Sequence, residues 1–263
     1  MFPLFGIILA AVLGGVMGSF SNVLAIRWHS AVSLSGRSKC PECGHTIRPR
    51  HLVPVISWIL LGGKCADCGA KIHIQYPLVE ALAVVLGIIA ALRHDPFSSP
   101  WLFFFEFILT VGLIAPVVMD IRWKELPVEY LVGLGVFAVL GRTIVLFLAG
   151  GDIAWPLVWT VAAIAGAVLF FGAQVIFSRG CWLGEGDIWF GAMMAAFLGT
   201  PALLGVGIYV AYLFGGLWAF VGLVAGLYRR GSRVPFAPAL AAGTIAALWH
   251  GQSILHWFSR AFA

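Results

Sequence analysis

The chain has 263 residues, of which 61% are hydrophobic and only 10% charged, and its mean hydropathy is +1.00. Soluble domains carry roughly 25% charged residues, so the composition excludes an ordinary soluble domain and predicts a polytopic membrane protein. The net charge of +5 does not indicate nucleic acid as a partner, because the basic residues lie in loops between apolar runs and form no stripe interleaved with aromatics.

Apolar segments predict helices at 4–27, 76–93, 100–119, 127–148, 153–177, 187–200, 202–228 and 234–258. Crossing a bilayer takes about 20 residues, and most of these qualify outright. The 187–200 segment is short, which fits a tilted helix or one with irregular backbone shielded by protein. The first segment lacks a basic leader and has Arg27 at its far end, so it reads as a retained helix and not a secretory signal. Gly14-xxx-Gly18 and Gly222-xxx-Gly226 have the small-xxx-small spacing of close helix contacts, a weak signal in a glycine-rich chain.

Lys and Arg set the orientation. With the N-terminus outside, thirteen fall in inner loops, from Arg27 through Arg122, Lys124 and Arg179 to Arg229, Arg230 and Arg233. Arg93 and Arg260 fall outside, and Arg142 lies within a span. This positive-inside bias requires about eight transmembrane helices and places both termini outside. The expected organisation is all-α: a first transmembrane helix at 1–27, a cytoplasmic module at 28–75, and a transmembrane bundle at 76–263.

The module carries Cys40-Pro41-Glu42-Cys43 and Cys65-Ala66-Asp67-Cys68, with 21 residues between the pairs. Gly44 and Gly69 follow each pair, where a metal knuckle needs a permissive backbone. Four thiolates complete a closed tetrahedral site, which predicts a structural zinc in a zinc-ribbon-like module. Two disulfides are the alternative, disfavoured in a reducing compartment. His45, His51 and His73 would serve as ligands only in place of a missing thiolate. Cys181 is unpaired and reads as a bystander, with no His near it in sequence.

Two aspartates stand where apolar runs meet the cytoplasmic surface. Asp120 ends one run, before Arg122-Trp123-Lys124-Glu125-Leu126-Pro127. Asp187 closes Gly184-Glu185-Gly186-Asp187 and opens the next run. Carboxylates at such depth usually face the bundle and serve a function. A pair that meets shares a proton and activates water, one carboxyl as base and the other as acid, as in aspartic proteases. The plainer reading pairs Asp120 with Arg122 or Lys124 and makes Asp187 a helix N-cap. Glu80, Glu106 and Glu129 are further membrane carboxylates, expected in structural or substrate-orienting roles.

Together these residues resemble the type IV prepilin leader peptidase/N-methyltransferase family. The resemblance runs through Gly18-Ser19-Phe20-Ser21-Asn22-Val23, Ser38-Lys39-Cys40-Pro41-Glu42-Cys43, Ser57-Trp58, Gly63-Lys64-Cys65-Ala66-Asp67-Cys68 and Tyr76-Pro77-Leu78-Val79-Glu80. It continues through Asp120 with Leu126-Pro127, then Gly184-Glu185-Gly186-Asp187, and ends at Pro235-Phe236-Ala237-Pro238. It implies a membrane aspartyl endopeptidase of the bacterial inner membrane that cuts type IV prepilins or type II secretion pseudopilins. The cut falls after a glycine, on the cytoplasmic side, and methylation of the new N-terminus from S-adenosylmethionine follows. It further implies Asp120 and Asp187 as the catalytic pair and Cys40, Cys43, Cys65 and Cys68 as zinc ligands. No Rossmann-type glycine fingerprint marks a methyl-donor site. Trp189, Val128, Ala237 and His51 depart from residues common in the family. Outside the resemblance, two other classes fit the residues: a zinc-regulated ion or proton transporter, and a non-catalytic pilus assembly scaffold.

Overall fold

The computed structural model describes residues 2–227 and 234–261. Each predicted apolar segment is helical, one of them in two pieces. The basic residues Arg229, Arg230 and Arg233 lie outside the described residues. The chain divides into two compact units, Met1–Val118 and Met119–Ala263. Among the described residues, six helical stretches are long and apolar enough to cross a membrane.

The first unit is built on α1 (Phe2–His29) and α3 (Gln75–Arg93), which run antiparallel. Lipid chains are as apolar as leucine, so such a pair is held by close packing. A Cβ added to Gly14 would strike the backbone of Ala83, one on Gly18 would meet Glu80 and Ala83, and one on Gly87 would strike Ala10. The Gly14/Gly18 spacing therefore marks a real helix contact. Gly226 of the other pair has open space around it and lies just past the end of a helix. Between α1 and α3 lie the cysteine module and the short α2 (Ile56–Leu60). Pro54 packs on Gly15, and the Val55 N–H donates to Glu80 Oε2 at 2.7 Å. That bond holds Val55 at φ +62, a conformation costly for a β-branched residue. The fully enclosed Asn22 accepts from Gln75 at 3.0 Å and donates to the Tyr76 carbonyl. The family-like runs around Asn22 and Glu80 thus meet in space and seat the module on the helix pair.

After α3 come α4 (Pro100–Gly112) and α5 (Ile114–Trp123), two pieces of one predicted span broken at Leu113. Glu106 of α4 is buried and accepts from Arg93 Nε at 2.9 Å, with His94 Nε2 3.0 Å away. That is a structural role, consistent with the expectation for this carboxylate.

The second unit comprises the end of α5, α6 (Val128–Leu148), α7 (Ala154–Ser178), α8 (Glu185–Leu198), α9 (Pro201–Val224) and α10 (Ala237–Ala261). The short α8 lies at its centre, touching α6, α7, α9 and α10. Phe190, Met193, Met194, Phe197 and Leu198 are all buried. Its 14 residues cover about 21 Å, against a hydrocarbon core of about 30 Å. A helix this short is viable at membrane depth because protein surrounds it. The neighbours approach closely: the Phe171 ring fills the space beside Gly191, and α9 and α10 touch backbone to backbone at Gly207 and Gly243. At its far end Arg142 donates to the Leu198 carbonyl at 3.2 Å and Thr160 to that of Gly199 at 3.2 Å. The in-span Arg142 is therefore a helix C-terminal partner, where a cation is favoured.

Candidate active site and metal-binding module

Asp120 and Asp187 both belong to the second unit, and both are buried. Asp120 lies in the last turn of α5. Its Oδ2 accepts from the Ala237 N–H at 2.7 Å, with the Phe236 N–H adding to it. Ala237 is the first residue of α10, and the Phe236 carbonyl accepts from Ala239 and Leu240 to close that helix's first turn. The Pro-Phe-Ala-Pro run thus delivers a helix N-terminus, with its unpaired N–H groups and positive dipole end, onto Asp120.

Asp187 stands in the first turn of α8, three residues after its N-cap, Gly184. Its Oδ2 accepts from the Gly184 N–H at 2.8 Å, while its own N–H donates to the Gly184 carbonyl. This is the N3 half of a capping box, the glycine N-cap having no side chain to return the bond. A Cβ on Gly186 would lie 2.7 Å from Leu126 Cβ, so only glycine lets this turn sit on the Leu126-Pro127 segment. Gly184 is not crowded in this way: its nearest such neighbour is Asp187 Oδ2 itself at 3.7 Å. The segments that follow Asp120 and precede Asp187 pack directly together, and the two carboxyl groups interact electrostatically. Arg122 does not take Asp120 as an ion-pair partner; its guanidinium lies over the Trp123 ring at 5.0 Å. Lys124, at φ +57, contributes a longer-range charge.

In the first unit the four cysteine sulfurs lie within 4.8 Å of one another, and all four are free thiols. Each pair sits in the same small hairpin. The Cys40 N–H donates to His45 O and that of Gly44 to Cys40 O; the Cys65 N–H donates to Ala70 O and that of Gly69 to Cys65 O. Gly44 at φ +71 and Gly69 at φ +73 make the turns possible. Trp58 braces the second knuckle, packing on Gly63 and donating to the Ile72 carbonyl at 3.2 Å. N–H groups of Cys43 and Glu42 pull the Cys40 thiol down to about 7. At Cys68 the Ala70 N–H also pulls down, but desolvation and the neighbouring sulfurs outweigh it and push the thiol up to about 12. A cation among the four would relieve that crowding. Tetrahedral zinc with bonds of about 2.3 Å places sulfurs about 3.8 Å apart, and Cys40 Sγ lies 3.9 Å from Cys68 Sγ. The donor set fits a closed structural zinc.

Comparison with known proteins bears on both sites. The family described as the Bacterial Peptidase A24 N-terminal domain matches residues 12–94, from α1 through the module to α3. A prepilin leader peptidase/N-methyltransferase of Aeromonas hydrophila is 33% identical, over 84% of this chain and 74% of its own length. Another, of Stutzerimonas stutzeri, is 30% identical over 95% of this chain and 93% of its own. The chain belongs to this family. A type 4 prepilin-like proteins leader peptide-processing enzyme of Escherichia coli is 31% identical over 92% of this chain and 93% of its own. No solved structure matches. Membership in the prepilin leader peptidase/N-methyltransferase family, with six helices among the described residues able to span, makes this a multi-pass bacterial membrane enzyme. It decides against the transporter and scaffold readings.

The remaining candidates separate cleanly. Glu80 is buried and committed to Val55, whereas Glu129 and Glu185 are exposed. Cys181 is exposed and free. Trp189, one turn past Glu185, is also largely exposed. Tyr212 of α9 and Gln174 of α7 are not marked in the sequence. Tyr212 lies near enough to Asp187 to feel its charge and is hydrogen-bonded to Gln174, and no spacing or motif links either to the aspartates.

Proposed function

We propose that Asp120 and Asp187 are the catalytic pair of a membrane aspartyl endopeptidase, and that its substrate is a prepilin or pseudopilin. What supports this is that two buried carboxyls lie in one unit, near enough to influence each other electrostatically, and that each accepts a backbone N–H at a helix N-terminus. In this reading one carboxylate takes a proton from water, whose oxygen bonds to the scissile carbonyl carbon. The other carboxyl, protonated, gives its proton to the departing nitrogen as the C–N bond breaks. The fixed N–H partners hold both groups ready, so little reorganisation is needed during the reaction.

The cut falls after the leader glycine, on the cytoplasmic side, before the substrate's hydrophobic helix. N-methylation of the new terminus uses S-adenosylmethionine as donor. Cys40, Cys43, Cys65 and Cys68 hold a structural zinc that organises residues 28–75, with the first helix at 1–27 and the bundle at 76–263 as flanking parts.

The test is mass spectrometry of a prepilin-like substrate incubated with the detergent-purified enzyme and S-adenosylmethionine. Wild type is expected to release the leader after its glycine and to add one methyl. Asp120→Asn and Asp187→Asn are each expected to abolish cleavage with zinc content unchanged. Substantial cleavage by either variant would remove the pair.

A further inference from the structure

Gln174 and Tyr212 form a polar pair in a part of the second unit where polar side chains need a reason. Gln174 lies one turn from the end of α7, and Tyr212 lies midway along α9. The Tyr212 hydroxyl donates to Gln174 Oε1 at 2.7 Å, and Gln174 Nε2 donates to the Phe170 carbonyl at 3.2 Å. Neither residue is part of the core, since Tyr212 keeps 37% of its surface exposed and Gln174 is half-buried.

Two observations tie this pair to the aspartates. The Tyr212 ring meets Phe236 edge-on, with centroids 5.3 Å apart, and Phe236 immediately precedes the Ala237 N–H that holds Asp120. Gly215, one turn further along α9, leaves the space that the Phe236 ring occupies. In addition, Tyr212 and Asp187 are close enough to interact electrostatically. The pair is therefore linked to Asp120 through Phe236 and the first turn of α10.

A peptide bond inside a helix has its carbonyl engaged and its carbon shielded, so a segment must be extended before a carboxyl pair can cut it. Extended backbone at membrane depth presents N–H and C=O groups that demand partners. A glutamine amide has two N–H donors and two acceptor positions, and a phenol oxygen can accept while donating. With the bonds above formed, Gln174 still has a donor to offer and Tyr212 an acceptor. That complement matches the N–H and C=O of one extended residue, which point to the same side of the chain, and ignores side-chain identity.

We propose that Gln174 and Tyr212 bind the extended backbone of the substrate beside Asp187. Gln174 Nε2 donates to a substrate carbonyl and the Tyr212 oxygen accepts a substrate N–H. This rests on the reading of Asp120 and Asp187 as the peptidase pair.

The test uses the full-length enzyme in detergent and a prepilin-type peptide, with a series of analogues in which single backbone N–H groups near the cut are replaced by ester oxygen. Tyr212→Phe and the volume-matched Gln174→Met are compared with wild type for kcat and KM. Each is expected to lose about tenfold in kcat/KM on the all-amide peptide, about the worth of one hydrogen bond. For Tyr212→Phe the deficit should vanish at a single ester position, where the partner N–H is already gone. A packing role would give the same deficit at every ester position, and that result overturns the proposal, as does kcat/KM within about twofold of wild type. Asp120→Asn and Asp187→Asn are assayed in parallel. Cleavage by either would overturn the peptidase pair itself, a failure distinguishable from an ordinary wild-type dependence on the aspartates with no contribution from Gln174 and Tyr212.

Discussion

At the scale of single residues, the site depends on what is missing as much as on what is present. Gly186 has no side chain, and Leu126 occupies the place where one would be. Adding a methyl there overpacks the contact by an amount that costs about 1–3 kcal/mol. The strain falls on the first turn of α8, which carries Asp187. Gly186→Ala is therefore expected to lower kcat/KM by about tenfold or more. Shortening Leu126 to Ala in the same chain should restore much of the loss. A single variant with wild-type kinetics would show that this contact does not position the carboxyl. Gly184 has room for a Cβ, so its substitution by Ala tests the same motif without the clash.

At the scale of elements, the cysteine module and α8 solve similar problems in different ways. The module is a loop with few buried side chains, so its order comes from two matched hairpins and four sulfurs. Metal binding requires thiolates, and acidification returns protons to them. Bound zinc is thus expected to be retained at neutral pH and released as the pH falls, with residues 38–73 becoming sensitive to proteolysis as the metal leaves. Zinc content and limited proteolysis followed across pH check this, and a module equally resistant after metal removal would refute it. The α8 helix has the opposite character. Its sides are enclosed by four helices, its C-terminal carbonyls are met by Arg142 and Thr160, and its first turn closes on Asp187. Its rigidity comes from packing and needs no ligand.

For the whole molecule, orientation in the membrane is the property with the widest consequence. The distribution of Lys and Arg predicts that the turn between α7 and α8 faces the cytoplasm. Cys181 lies in that turn, exposed and outside the four-sulfur cluster, and is a natural reporter. A membrane-impermeant maleimide is expected to modify Cys181 in inverted vesicles and not in intact cells. Labelling from outside intact cells would reverse the topology and place the aspartates on the wrong side for the proposed cut.

The sequence by itself determined the class of molecule, because apolar length and charge placement are properties of the chain that no packing can alter. It also determined the donor set for a metal, since Cys-x-x-Cys can be read from spacing, and the helical segments, which the fold reproduces. It nominated Asp120 and Asp187 through their positions at the ends of apolar runs. Only the tertiary structure decided how those carboxyls are held. The Ala237 N–H that binds Asp120 comes from 117 positions along the chain, and no local pattern foretells it. Tertiary structure also decided that a segment of 14 helical residues is feasible at membrane depth, because its neighbours and not its own length satisfy it. Tyr212 and Gln174 were illegible for the same reason. A tyrosine and a glutamine 38 residues apart on two apolar helices carry no signal until the helices pack and bring them together.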